Sequence, residues 1–199
     1  MIEKINAAAA FVKGRIKGTP EVGIILGSGL GNLGNRIDNA IKIPYSEIPG
    51  FPVSTVEGHS GQFVFGDLGG KKVMAMQGRF HYYEGYEMNQ VTLPVRVLYQ
   101  LGAKTLFVSN AAGGLNPTFN AGDMMIIHDH INFFPQNALR GKNLDDLGPR
   151  FPDMSEPYTK ALIVKAERIA QEEGITLKKG VYVGSSGPTL ETAAEYKMF

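Results

Sequence analysis

Apolar residues recur at helical spacing at the start of the chain. Ile2, Ile5, Ala9, Val12 and Ile16 share one face before Gly18 and Pro20, which predicts an opening amphipathic helix. The pattern then changes. Val22-Gly23-Ile24-Ile25-Leu26 is apolar on both faces, as a buried central strand is, and it runs into Gly27-Ser28-Gly29-Leu30-Gly31. Residues 44–61 hold Pro44, Pro49, Gly50, Pro52, Gly58 and Gly61, too many breakers for a long helix. Residues 62–68 and 71–77 flank Gly69-Gly70 and predict a hairpin with a two-residue turn. Val95, Leu98, Tyr99 and Leu101 form the inward face of a second helix ending at Gly102. Pro94 falls in its first turn, where a missing N–H costs little. Residues 105–109 predict another buried strand and lead into Asn110-Ala111-Ala112-Gly113-Gly114. A further strand is expected over 123–127, then a long irregular excursion over 132–153, which in a compact domain is usually functional. A third helix spans 157–173 with Tyr158, Leu162, Ala166 and Ile169 inward, and Val181-Tyr182-Val183 forms a last strand. Thr192-Ala193-Ala194-Glu195 reads as a capping box that announces a helix. The sequence stops at Phe199, after about two turns, too short a helix to stand without more chain or strong packing. It therefore reads as one domain over residues 1–199 that is cut short at its C-terminus.

Helices alternating with apolar strands predict an α/β fold, a mixed central β-sheet flanked by helices. Its ligands are expected at the carboxyl ends of the strands. Composition narrows the classes. With 20 basic and 19 acidic side chains among 199 residues, the net charge is +1. No run of like charge suggests a nucleic-acid arm or a polybasic membrane patch. The lack of cysteine excludes disulfides, thiolate metal sites and a cysteine nucleophile. Ala7-Ala8-Ala9-Ala10-Phe11-Val12 is followed by Lys13, Arg15 and Lys17, unlike a signal peptide, and no apolar run is long enough for a bilayer. A soluble, cytoplasmic protein is the expectation. The 25 glycines gather mostly just after strand-like runs, where they let a ligand approach the backbone.

The stretch Gln77-Gly78-Arg79-Phe80-His81-Tyr82-Tyr83-Glu84-Gly85-Tyr86 carries the densest chemistry. Arg79 and His81 project to one side of an extended backbone. They can hold an oxyanion by charge-assisted hydrogen bonds, with an aromatic ring beside a flat or sugar-like ligand. A plainer reading pairs Arg79 with Glu84 at the surface. Gly29-Leu30-Gly31-Asn32-Leu33-Gly34 fits the dinucleotide pattern G-x-G-x-x-G, with Glu57 as the distal acid. The prolines between them, however, leave no room for the crossover helix. Gly27-Ser28-Gly29 serves better as a small oxyanion cradle, or as a plain tight turn. His128-Asp129-His130 would put two histidines on one side of a strand, but zinc needs a third protein ligand and none stands nearby. Glu191, just before a helix start, is either favourable helix-end charge or an acceptor for the N–H edge of a ligand such as a purine.

Taken together, these segments resemble the trimeric purine nucleoside phosphorylases. The matching pieces are Leu26 through Gly31, Val56 through Gln62, Met76 through Tyr86, Asn110 through Asn116, Asp129 through Asn132, Arg150 through Ser155 and Gly187 through Thr192. They occur in the family's order along essentially the whole chain. The resemblance implies phosphorolysis: inorganic phosphate attacks C1′ of a purine nucleoside, giving ribose 1-phosphate and free base. By position, Ser28, His59, Arg79 and His81 would bind phosphate, with the Ala111 backbone N–H completing the cradle. Tyr83 would contact the ribose and Glu84 would organise the phosphate site beside the catalytic His81. Glu191 would accept from N1–H of a 6-oxopurine, with Leu190 and Ala111 lining the base and Leu190 standing where an aromatic residue is common. Phe151 resembles the aromatic residue that the family lends to a neighbouring subunit's ribose pocket, so a homotrimer is implied. No metal or organic cofactor is implied; phosphate is the co-substrate. The family's donor to purine N7 belongs to a C-terminal part that this sequence does not reach. A catalytically inactive fragment retaining part of the phosphate site is therefore one alternative, and a methylthioadenosine phosphorylase-like activity is another.

Overall fold

Ile5, Ala8, Ala9 and Val12 stand at i, i+3, i+4 and i+7 and make the buried stripe of α1 (Ile2–Lys13). In the computed structural model, which describes residues 1–52 and 61–199, this helix opens the first of two compact units. That unit is Met1–Ala111 with Gln136–Leu139; the other is Ala112–Pro135 with Arg140–Phe199.

The first unit is built on a five-stranded sheet of β1 (Val22–Leu26), β2 (Asp38–Pro44), β3 (Gln62–Leu68), β4 (Lys71–Gln77) and β5 (Thr105–Val108), in the order β2-β3-β4-β1-β5. It is mixed as expected: β1 runs parallel to β4 and β5, while β3 runs antiparallel to β2 and β4. The β3–β4 hairpin turns at Gly69 and Gly70, with φ of 57° and 75°. A type I′ turn demands that left-handed pair, which glycine adopts without strain. Ile24, Leu26, Ile37, Val64, Val73 and Ala75 form one core cluster on the sheet. After α2 (Met88–Val91), α3 (Leu93–Gln100) packs on α1 and on β1. A Cβ on Gly23 would lie only 3.0 Å from Leu98 Cδ1, so the helix seats closely on the strand.

Register sets up the site. Leu26 of β1 is level with Gln77 of β4, Gln77 with Gln62 of β3, and Ile25 with Val108 of β5. The parallel strands β1, β4 and β5 thus release their following loops from one edge of the sheet.

Several expectations need correction. α3 buries Leu93, Pro94, Val97 and Leu98, whereas Tyr99 is exposed. Of the expected inward face, Leu98 and Leu101 are buried and Val95 is half-buried, while Val97 and the earlier Leu93 and Pro94, which already belong to the helix, complete the buried side. β5 is a strand but not a buried one: it ends the sheet order, and Leu106, Phe107 and Val108 are exposed. Its apolar composition says that the side chains favour cover and does not say which neighbour supplies it. No crossover helix follows β1. A 3-10 turn over Gly31–Arg36 leads straight into β2, which removes the dinucleotide reading; its acid, Glu57, lies outside the described residues.

In the second unit, β6 (Met124–Asn132) pairs in parallel with β7 (Leu177–Gly184), and α4 (Lys160–Glu172) packs on β6. Both strands are longer than expected. α4 begins at Lys160, not near residue 157. Ala170 is its buried residue, and Leu162 and Ile169 stay exposed, since a two-stranded sheet covers little of a helix face. The stretch between β6 and α4 is irregular, with one 3-10 turn at Asp145–Leu147. The capping box opens α5 (Ala193–Met198): the Glu195 backbone N–H donates to Thr192 Oγ1 at 3.2 Å, and Glu195 Oε2 accepts from the Thr192 N–H at 2.6 Å. Among the described residues, no helix is long and apolar enough to cross a membrane.

Candidate active site

β1 runs out at Leu26, and Gly27-Ser28-Gly29-Leu30 turns at once, closed by the Leu30 N–H donating to the Gly27 carbonyl at 3.0 Å. Gly27 has to be glycine. A Cβ there would lie 2.5 Å from Asn110 Cα and 2.6 Å from the Ser109 carbonyl oxygen. That approach joins the loop after β1 to the chain leaving β5, which carries Ala111. Ser109 reinforces the junction: its hydroxyl donates to the Ile25 carbonyl at 2.9 Å and accepts from the Gly27 N–H at 3.3 Å. Ser28 and the Ala111 backbone therefore leave the sheet from adjoining strand ends.

β4 delivers the charged group. Arg79 is half-buried, and its Nη1 is shielded from solvent without a hydrogen-bond partner among the described residues. A guanidinium N–H withdrawn from water and left unpaired is costly, and an oxyanion would satisfy it. Two residues on, both the backbone N–H and Nδ1 of His81 meet Glu84 Oε1, at 2.8 and 2.9 Å. The Glu84 side chain is only 2% exposed. An ionised carboxylate can only accept, so Nδ1 carries its proton toward Glu84. The Tyr83 ring stacks on the His81 ring with centroids 4.8 Å apart. The surface pair of Arg79 with Glu84 is thus not what forms: Glu84 serves His81.

Beneath this loop lies Tyr45, 1% exposed, packed against Phe51, Phe63 and Phe80. Burial pushes its phenol well above the ordinary range, so it remains a neutral donor, and it donates to the Gly78 carbonyl at 2.8 Å. The residue preceding Arg79 is thereby pinned. His59, the remaining expected phosphate ligand, lies outside the described residues.

The other expected positions belong to the second unit. Glu191 is half-buried. Its own backbone N–H and the Ser185 hydroxyl, donating to Oε1 at 3.0 Å, hold its carboxyl below the usual range. Hydrogen bonding to Glu191 in turn raises the Tyr196 phenol. Leu190 and Phe151 are 85% and 87% exposed, with the Arg150 guanidinium 5.9 Å from the Phe151 ring centre. The paired-histidine expectation fails locally. β6 slips register between Ile127 and Asp129, so His128 is an inserted residue and strict alternation across it is lost. His130 packs edge-on against Tyr158 at 5.7 Å. Among the described residues, no group of three His, Asp or Glu side chains could hold a metal ion.

The structure therefore brings Ser28, Arg79, His81, Tyr83, Glu84 and Ala111 into one unit, on loops from neighbouring strand ends. It also shows supporting residues that the sequence did not reveal, Tyr45, Ser109 and Gln77. The available signal was Gln77 itself, a polar residue closing the apolar run of β4.

The sequence model of the phosphorylase superfamily matches residues 21–199. Purine nucleoside phosphorylase 1 of Bacillus subtilis is 55% identical over 99% of this chain and 73% of its own length. The Rattus norvegicus purine nucleoside phosphorylase is 48% identical over 97% of this chain and 68% of its own. Among solved structures, isoform 2 of the Schistosoma mansoni enzyme, in complex with cytosine and ribose-1-phosphate, superposes with a TM-score of 0.93 at 44% identity. That superposition covers 98% of this chain and 70% of that one. The chain belongs to the phosphorylase superfamily and, within it, to the purine nucleoside phosphorylases.

Proposed function

We propose that the protein is a pentosyltransferase that phosphorolyses purine nucleosides such as inosine and guanosine, releasing free base and ribose or deoxyribose 1-phosphate. The observation that carries this reading is the Arg79–His81–Glu84 arrangement, a shielded guanidinium N–H without a partner among the described residues beside a histidine fixed by a buried carboxylate. Arg79, the Ser28 hydroxyl, the Ala111 N–H and His81 hold phosphate, and His59 joins them. A phosphate oxygen bonds to C1′ as the C1′–N9 bond breaks. The electron pair leaves with the purine, which takes up a proton. Holding the nucleophile in line lowers the barrier by removing the entropy of encounter, and fixed donors around the phosphate need no reorganisation as charge shifts.

Substrate choice falls to Glu191. As an ionised acceptor it suits the N1–H of a 6-oxopurine and repels the bare N1 of adenine, so inosine is preferred to adenosine and to 5′-methylthioadenosine. Tyr83 lies against the ribose. Phe151, exposed on its excursion, completes the ribose pocket of a neighbouring subunit in a homotrimer. The ribose-1-phosphate in the Schistosoma structure supports a sugar phosphate product.

The test is hypoxanthine release from inosine with and without inorganic phosphate. Release only with phosphate is expected. Release without it would make the protein a hydrolase, and no release under either condition would favour a phosphate-binding chain without catalysis.

A further inference from the structure

Gln77 is 8% exposed, a buried polar side chain at the carboxyl end of β4. Its amide nitrogen donates to the Gly31 carbonyl at 2.9 Å, and its amide oxygen accepts from Gln62 Nε2 at 2.7 Å. The polarity of this relay is fixed from one end. A backbone carbonyl only accepts, so the Gln77 NH2 must face Gly31; its oxygen then faces Gln62, whose NH2 must donate. Gly31 follows the turn that carries Ser28 and opens the 3-10 turn, while Gln62 opens β3 next to Gly61, whose carbonyl accepts the Tyr45 N–H at 2.8 Å. Gln77 itself stands two residues before Arg79. One amide thus touches the loop after β1 and the start of β3, and lies on the strand that delivers the guanidinium. The fit is close: a Cβ on Gly34 would lie 3.1 and 3.2 Å from Gln77 Cδ and Nε2.

We infer that Gln77 is a positioning residue for the phosphate site, setting the distance between Ser28 and Arg79 through its bond to the Gly31 carbonyl. Glutamine suits the task because it offers a donor and an acceptor on one planar group, which neither methionine nor glutamate does. The inference rests on the phosphorolysis reading and adds to it a residue that need not touch substrate. A merely structural glutamine would alter folding and both substrates alike. A positioning one acts on phosphate, and acts through Ser28.

The test is a double-mutant cycle on the full chain with Gln77→Met, Ser28→Ala and the pair. It reads the KM for phosphate, the KM for inosine and calorimetric titration with inorganic phosphate. Gln77→Met is expected to raise the phosphate KM and Kd about tenfold while moving the inosine KM by less than about twofold. In the Ser28→Ala background the same change should cost less than about threefold, because coupled residues are not additive. Equal shifts in both KM values, or a full tenfold loss without Ser28, would overturn the inference. Should Gln77→Met not fold, Gln62→Met removes the supporting bond and leaves the Gly31 carbonyl bonded. A smaller shift of the same phosphate-selective kind supports the inference, and no selective shift overturns it. Wild-type protein that binds phosphate and cleaves inosine no better than Gln77→Met overturns this inference alone. Wild-type protein that does neither overturns the proposed function, and this inference with it.

Discussion

Glu84 Oε1 takes two hydrogen bonds from a single residue, His81, while its side chain is almost wholly withdrawn from water. A carboxylate in that position fixes the tautomer and the angle of the imidazole together. Glu84→Gln keeps the shape but places an amide nitrogen where a carboxylate oxygen was, and removes the charge that favours a proton on Nδ1. We expect kcat to fall about 10- to 100-fold, the range typical of losing an orienting partner, with melting temperature little changed; steady-state kinetics beside a thermal melt checks this. Glu191, proposed for the base, gives the complementary case. Because its folded pKa is lowered, whatever stability its ionised form contributes is present above the unfolded pKa and is lost as pH falls through the folded one. The carboxylate consequently stays an acceptor below the ordinary glutamate value, and the inosine KM should remain flat as pH drops from about 8 to about 5. Glu191→Gln can turn its amide to accept or donate. It is expected to lower kcat/KM for inosine about 100-fold and to narrow the preference over adenosine, measured by competition between the two nucleosides.

At the scale of elements, the site depends on how closely two loops approach. Gly27 is the contact between the loop after β1 and the chain after β5, and a methyl group there has only backbone to push against. Gly27→Ala should destabilise the fold by about 2–3 kcal/mol, as overpacking does, and should weaken phosphate binding more than Gly23→Ala. At Gly23 the neighbour is the movable end of Leu98. Chemical denaturation and phosphate titration of both variants test the difference. The same elements show what can be read from a sequence. The Gly69-Gly70 hairpin and the Thr192 capping box were legible because each is a local rule with one residue per position. That the Gly27-Ser28-Gly29 loop and the Arg79–His81 stretch follow strand ends was legible from the apolar runs before them. The burial of β5 and α4 was not, because an apolar run records a need for cover and not the neighbour that meets it. Nor was the bulge at His128, since the extra residue looks like any other in the strand. Gln77, Ser109 and Tyr45 were hidden for a related reason: their roles lie in contacts with residues 33 to 84 positions away.

At the scale of the whole molecule, the groups assigned to phosphate sit in the first unit, whereas Glu191, Leu190 and Phe151 belong to the second. Phe151 and Leu190 are both left exposed, and Phe151 is the larger case: an aromatic ring 87% exposed, on an irregular stretch where solvent contact gains nothing for a phenyl group. Placing that ring in a neighbour's ribose pocket explains its exposure, and it makes a specific demand on the assembly. Each site then needs Arg79 from its own chain and Phe151 from the next, a head-to-tail arrangement that closes into a ring. Arg79→Ala and Phe151→Ala should each be nearly inactive alone. Denatured together in equal amounts and refolded, they should regain about a quarter of wild-type activity, because a random ring joins an intact Arg79 to an intact neighbouring Phe151 at about one site in four. The recovered activity should migrate with a trimer on sedimentation. Activity in the mixture no higher than the mean of the two variants would place Phe151 in its own chain's site or in none, and a monomeric active species would remove the shared pocket altogether.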